Sequence, residues 1–206
     1  MNNQNTGAPS FTIKPETAAL TGQVEQMLDS VFGPARFDKA SYLFREGVAP
    51  VAELSYVAML GDDVVGTIRY WPILVGATHH PALLLGPLGI TPRLAGKGIG
   101  RTLTFRTLER AAEMGFDLVL LVGDVDYYKR FGFVPATPHG FVMPGEKRPE
   151  RLQVAPLKRD LLGRISGEIN HIRASLTPQQ AMLEDGLPVG DRSGHLSAPS
   201  LRADAR

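Results

Sequence analysis

The stretch from Leu83 to Gly100, LLLGPLGITPRLAGKGIG, restricts the fold more than any other part of the chain, because an apolar run of strand type ends in a glycine-rich turn that opens a helix. Gly96, Gly98 and Gly100 stand at alternate positions. There they let the backbone take conformations closed to other residues and let a ligand approach the N–H groups directly. The helix predicted from about Ile99 to Met114 adds the positive end of its dipole at the same point. Arg101 lies in its first turn, where a cation opposes the dipole unless an anion lies between them. Such a turn suits phosphate, although neither common phosphate signature is met. A Walker loop requires Ser or Thr after Gly-Lys, and Gly96-Lys97 is followed by Gly98; a dinucleotide fingerprint counted from Gly96 requires Gly where Arg101 stands. A tight turn that holds no ligand is the alternative reading.

At ~100° per residue, Thr102, Arg106, Glu109, Arg110 and Glu113 share one narrow polar arc of this helix, and Leu103, Phe105, Leu108, Ala111, Ala112 and Met114 fill the remainder. So wide an apolar face predicts a helix laid against a sheet. Gly115 stops it, and Asp117 to Val122, DLVLLV, reads as a strand covered on both faces. Elsewhere the pattern is α/β. A first strand is predicted at Phe11 to Lys14, a helix at Thr17 to Phe32 ending at Gly33-Pro34, and a second helical piece near Asp38 to Arg45. Strands at Ser55 to Leu60 and Val64 to Pro72 bracket a turn at Gly61-Asp62-Asp63, and later strands are predicted at Phe133 to Ala136 and Arg151 to Leu157. Within Leu83 to Ile90, Pro87 cannot donate a ladder hydrogen bond, and Gly86 and Gly89 weaken a regular strand. A bulge or local break is the expected outcome.

LGPLGITPRLAGKGIGRTL resembles the acetyl-CoA-binding motif of the GCN5-related N-acetyltransferases, the GNAT superfamily, and LVGDVDYYKRFGF resembles the segment that follows it in that family. The likeness covers about Phe11 to Leu157 and is similar to the YhbS-like bacterial branch. It implies a mixed, mostly antiparallel central sheet with a V-shaped splay between two central strands, flanked by helices. It also implies acetyl-CoA as co-substrate, bound by the backbone of Ala95, Gly96, Lys97, Gly98, Ile99, Gly100 and Arg101, with Leu88, Gly89 and Ile90 aiming N–H groups at the thioester. The family usually opens this loop with Gln or Arg, and Ala95 stands there instead, leaving only a backbone N–H to serve. Tyr128, four residues before Gly132, matches the tyrosine that protonates the departing thiolate. Tyr127 is its competitor, and a purely structural aromatic cluster with Phe131 and Phe133 is the alternative to both. Where many members carry Asn, this chain has Gly123-Asp124.

The acceptor amine must lose a proton, and Glu53 is the first candidate base, with His79 and His80 as alternatives. Adjacent histidines in extended chain point opposite ways and no other histidine lies at ligand spacing, so no metal site is expected. The 206 residues, 43% hydrophobic and 21% charged, suffice for one substantial core. A net charge of +1 with dispersed basic residues gives no nucleic-acid or membrane footprint. With no cysteine, an acyl-cysteine intermediate is excluded and direct transfer to an amine remains. No apolar run reaches the ~20 residues of a membrane span and Met1 to Ser10 lacks an apolar signal core, so a cytoplasmic location is expected.

Leu157, Leu161, Ile165, Ile169, Ile172 and Leu176 recur at spacings of three and four, which predicts an amphipathic helix over 158–176, weakened by Gly163 and Gly167. It could dock on its own domain, pair with a second copy in a homodimer, or stay irregular. Residues 1–10 and 177–206 read as disordered tails. The functional expectation is an N-acetyltransferase acting on a small-molecule or protein amine; the rival is a catalytically weak CoA-binding regulatory or partner-binding module.

Overall fold

The computed structural model describes residues 11–175, so both expected tails lie outside the described residues. In chain order the elements are β1 (Thr12–Pro15), α1 (Thr21–Phe32), α2 (Ala40–Leu43), β2 (Tyr56–Leu60), β3 (Asp63–Val75), β4 (His80–Ile90), α3 (Ile99–Glu113), β5 (Leu118–Val122), α4 (Val125–Tyr128), β6 (Val134–Pro135), β7 (Phe141–Val142), β8 (Leu152–Pro156) and β9 (Gly167–His171). The sheet runs in the order β1-β2-β3-β4-β5-β8-β6, antiparallel throughout except for the parallel pair β4 and β5. Gly61, at φ 61°, makes the β2–β3 turn, and α1 stops where Gly33 takes φ 68° ahead of Pro34.

One cluster of buried side chains lies between α3 and the sheet, including Ile68, Tyr70, Leu83, Leu85, Leu103 and Val119. Val24, Met27 and Leu28 of α1 pack on Val57, Met59 and Val64 on the opposite face. α3 departs from its expected arc: Ile99, Leu103, Thr104, Thr107, Leu108 and Ala111 are buried, whereas Phe105 is 42% exposed. Threonine is tolerated inside because its hydroxyl bonds the preceding turn. The Thr107 hydroxyl donates to Leu103 O at 2.8 Å and meets the Tyr70 hydroxyl of β3 at 2.8 Å, tying helix to sheet. Phe105 instead packs edge-on against Phe131, 4.9 Å between centroids.

The segment expected as an amphipathic helix forms a strand. β9 pairs with β3 at Ile73 to Val75, continuing the side of β3 that β2 leaves beyond Ile68, and pairs in parallel with β7. A 3-10 turn, Ile172–Ser175, follows. Positive φ at Asp160, Gly163 and Gly167 (60°, 95° and 121°) breaks any helix here. A Cβ on Gly167 would lie 2.7 Å from Gly76 Cα, so the glycine also permits close backbone approach. Leu161, Leu162 and Ile165 pack on the domain's own core, and the compact unit runs to Ala174, past the boundary expected at Leu157.

Two irregularities in β4 organise the centre of the sheet. Leu88 pairs with Ile68 and Leu85 with Tyr70, so Gly86 and Pro87 together face the single residue Arg69: the expected bulge. The extra residue reverses the strand's parity. Gly89 consequently faces α1, where a Cβ would meet Leu28 at 2.9 Å, while Ile90 faces α3. On its other side β4 pairs with β5 only at Leu83 and Leu84, opposite Val119 and Leu120. Beyond Leu84 the two parallel strands part, which is the V-shaped splay.

Candidate active site

The glycine turn and the splay lie at two points along β4. In the turn, Gly96 and Gly98 take φ 76° and 86°, and a Cβ on either would meet nothing within 4 Å. Glycine is thus needed for conformation and not for space. Gly100 differs: a Cβ there would lie 2.6 Å from the Tyr127 hydroxyl. No side chain caps the first turn of α3, and the N–H groups of Gly96, Gly98, Ile99, Gly100 and Arg101 have no backbone acceptor among the described residues. Ala95 and Lys97 are different, because their N–H groups already donate to Pro92 O (3.0 Å) and Leu94 O (3.3 Å). The donor set for an anion therefore excludes the Ala95 N–H expected to serve and centres on Gly96, Gly98 and the first turn. Arg101 is exposed, its guanidinium 5.6 Å from the Phe105 ring centroid.

Because φ near +86° strains any residue with a Cβ, Gly98→Ala should lower stability by about 1–2 kcal/mol even without ligand. Thermal denaturation checks this directly, and an unchanged melting temperature would mean that the turn relaxes at no cost.

In the splay, a cavity of about 220 Å³ is lined by Leu85 to Leu88 of β4, Val122 at the end of β5 with Gly123 and Asp124 after it, and Tyr128. Since hydrogen-bond directions alternate along a strand, at least one N–H among Leu88, Gly89 and Ile90 faces the gap that β5 has left. α4 resolves the two tyrosines. Asp124 caps it, accepting from Tyr127 N at 2.7 Å, and the ~100° step between neighbours sends Tyr127 toward Gly100 and Tyr128 toward the gap. Gly123 leaves room for the Tyr128 ring, which a Cβ there would strike. The aromatic cluster exists as well, with Tyr128 5.6 Å from Phe133 and 4.9 Å from Tyr127 between ring centroids. Burial raises the Tyr128 pKa above the usual phenol range, Tyr127 and Asp124 push it further, and only Arg151 opposes them. The phenol keeps its proton at neutral pH.

A second cavity of about 300 Å³ shares Arg36, Tyr42, Arg45 and Pro87 with the first and extends to Glu25, Phe37, Glu46, Arg69 and Trp71. The Trp71 indole N–H donates to Gly86 O at 2.7 Å and pins the bulge. Arg69 reaches Glu16 through two bonds of 2.8 and 2.6 Å and Glu25 through a third of 2.6 Å; Glu25 also accepts from Arg36 at 2.6 Å. Burial pulls Glu25 upward, but the bonds from Arg36 and Arg69 outweigh it and hold the carboxyl below its ordinary range. Glu25 is therefore a poor proton acceptor. Glu53 is exposed in the 3-10 turn Ala52–Leu54 and lines neither cavity. His80 pairs with Asp117 at 3.2 Å, away from both cavities. Among the described residues no cluster could hold a metal ion, and no helix is long and apolar enough to cross a membrane. Arg36, Tyr42, Arg45, Arg69 and Trp71 form no motif in the sequence, where the lone tryptophan is the available signal.

Comparison with known proteins gives this arrangement its relatives. An uncharacterized N-acetyltransferase of Escherichia coli strain K12, YhbS, is 27% identical over 109 residues, covering 53% of this chain and 65% of its own length. A second uncharacterized N-acetyltransferase of that strain, YjhQ, is 33% identical over 98 residues, 47% of this chain and 53% of its own. The crystal structure of Escherichia coli YhbS in complex with CoA superimposes with a TM-score of 0.69 at 25% identity, covering 81% of this chain and 92% of that one. A GNAT family acetyltransferase from Brucella melitensis, solved with acetyl-CoA, shares the fold with a TM-score of 0.60 at 23% identity over 81% and 98%. Residues 22–133, more than half of the chain and including the bulge, the splay and the glycine turn, match the model of one family: the chain belongs to the Acetyltransferase (GNAT) family.

Proposed function

We propose that this chain is an N-acetyltransferase that transfers an acetyl group from acetyl-CoA to an amine by direct attack in a ternary complex. The observation that carries the reading is Tyr128 on the wall of the gap where β4 and β5 part, beside the unpaired edge of β4. Gly96, Gly98 and the first turn of α3 offer donors for the pyrophosphate. Bound acetyl-CoA supplies an activated thioester carbonyl. The N–H among Leu88, Gly89 and Ile90 that faces the gap holds the carbonyl oxygen as it gains charge. Tyr128 gives its proton to the sulfur as the C–N bond replaces the C–S bond. Burial makes Tyr128 a weak acid, and the same dry gap makes an expelled thiolate a strong base, so the transfer stays matched. The 300 Å³ cavity on the α1 and α2 side admits the amine. Glu25 is tied to two arginines and Glu53 lies outside the cavity, so the amine's proton leaves to water or to Glu46 on the cavity wall, and water returns a proton to Tyr128.

A ligand that binds only the native state raises its stability by mass action, by about 2.7 kcal/mol at 100 times its dissociation constant. Thermal scans should show this rise with acetyl-CoA and not with ATP or NAD, and mass spectrometry of mixed amines with acetyl-CoA should reveal an acetylated product. A larger shift with either nucleotide would overturn the ligand assignment; binding without product across the mixture would overturn the catalytic one.

A further inference from the structure

We infer that the amine acceptor carries an anionic group of its own, received by Arg45 where the two cavities meet. The inference rests on the acetyltransferase reading above and names the substrate class of that site.

Three arginines line the larger cavity with Glu25 and Glu46, and two are paired: Arg36 with Glu25 and Asp29 at 2.6 and 2.9 Å, Arg69 with Glu16 and Glu25 at 2.6 Å each. Arg45 has no carboxylate within ion-pair distance among the described residues, and its buried Nε and Nη1 have no hydrogen-bond partner there. Its guanidinium carbon lies 4.1 Å from the Tyr42 ring centroid and 5.6 Å from that of Trp71. Aromatic rings shield the faces of such a group and leave its in-plane donors for an anion. Burial lowers the Arg45 pKa to about 10, with Arg36 and Arg69 adding repulsion and Tyr42 alone opposing. A buried cation left in this state costs stability unless a ligand completes it.

The surroundings point the same way. Arg36, Lys39, Arg45 and Arg151 line the splay cavity, where Asp124, already capping α4, is the carboxylate among the described residues. Burial depresses Lys39, and Arg151, Arg45 and Arg148 depress it further. The pyrophosphate is not the missing counterion. Arg45 Nη2 lies 3.2 Å from where a Cβ on Gly86 would stand, and Gly86 precedes Ile90, at the turn end of β4, by ~13 Å at ~3.3 Å per residue. Arg45 stands at the bulge, where the acyl carbon must lie, so one small molecule can present its amine there and its anion to Arg45.

The test uses matched acceptors with the full chain: amino acids against their carboxamides, and phosphoethanolamine against ethanolamine, read as CoA thiol release. The parent should prefer the anionic member in kcat/KM by about tenfold or more, the usual weight of one charge-assisted bond. Arg45→Met should bring that ratio toward one, Arg45→Lys should retain part of it, and both should melt no lower than the parent because an unpaired charge has gone or become adaptable. A preference for the amino acids identifies the anion as carboxylate; one confined to phosphoethanolamine identifies it as phosphate. Equal use of neutral and anionic partners by the parent, or a ratio that survives Arg45→Met, overturns the inference and leaves the acetyltransferase reading standing. If no amine turns over, the catalytic reading falls. The inference is then decided by titrating N-acetyl amino acids against N-acetyl amino acid amides into the CoA-loaded protein: a preference for the acids lost in Arg45→Met upholds it, and its absence overturns it.

Discussion

Tyr128→Phe should lower kcat by roughly 10²-fold, the ordinary contribution of a positioned acid, and leave acetyl-CoA binding intact. The substitution keeps the ring, its 5.6 Å contact with Phe133 and the space that Gly123 provides, and deletes one hydroxyl. A loss in kcat with unchanged binding marks an interaction made in the transition state alone. Tyr127→Phe is the control, since its hydroxyl faces Gly100 and not the splay. The raised pKa of Tyr128 also fixes the sign of its pH effect: a phenol held protonated by burial cannot produce a falling alkaline limb below the usual phenol range of about 10. Turnover by Tyr128→Phe at the parental rate, or a greater defect in Tyr127→Phe, would return both residues to a purely structural cluster.

Local chemistry made some of this legible in the sequence. The glycines at 96 and 98 mark a turn open to positive φ, and the bulge follows from a proline and two glycines inside an apolar run, because these residues act on their own backbone. The acceptor side is different. Arg69 and Trp71 share a face of β3 by strand alternation, but Arg45 meets them only because the segment after α2 folds over that face, and no local pattern encodes that meeting. Glu53 is an acid near a strand end, but Ala52–Leu54 forms a 3-10 turn that leaves it exposed. The C-terminal apolar spacing fitted a helix as well as any in the chain. Tertiary pairing with the far half of β3 overrode it, since three residues at positive φ and the Gly76–Gly167 approach suit only an extended segment.

Arg69→Met should destabilise the fold by about 3 kcal/mol or more, the cost of breaking a buried pair and stranding its partner. Arg69 and Glu16 each expose only 8% of their side chains, and the guanidinium meets Glu16 through Nε and Nη2 together, a bidentate geometry that lysine cannot reproduce. Arg69→Lys should therefore recover only part of the loss. For a domain of this size the change corresponds to a fall of roughly 6–12 °C in Tm, at ~2–4 °C per kcal/mol. The pH dependence adds an independent sign. Glu25 has a depressed pKa in the folded state, so its contribution is present above the ordinary carboxylate value of about 4.3 and is lost as pH falls through the lower folded value. Arg69→Met removes one of its two arginine partners and with it part of that contribution, so the gap in Tm between parent and variant should narrow below about pH 4. Because Arg69 is the residue opposite the bulge, the same variant should also loosen the wall that the two cavities share. A loss below about 1 kcal/mol, the range of exposed ion pairs, or a gap that widens toward low pH, would mean that packing and not the Glu16–Arg69–Glu25 network holds α1 over the site.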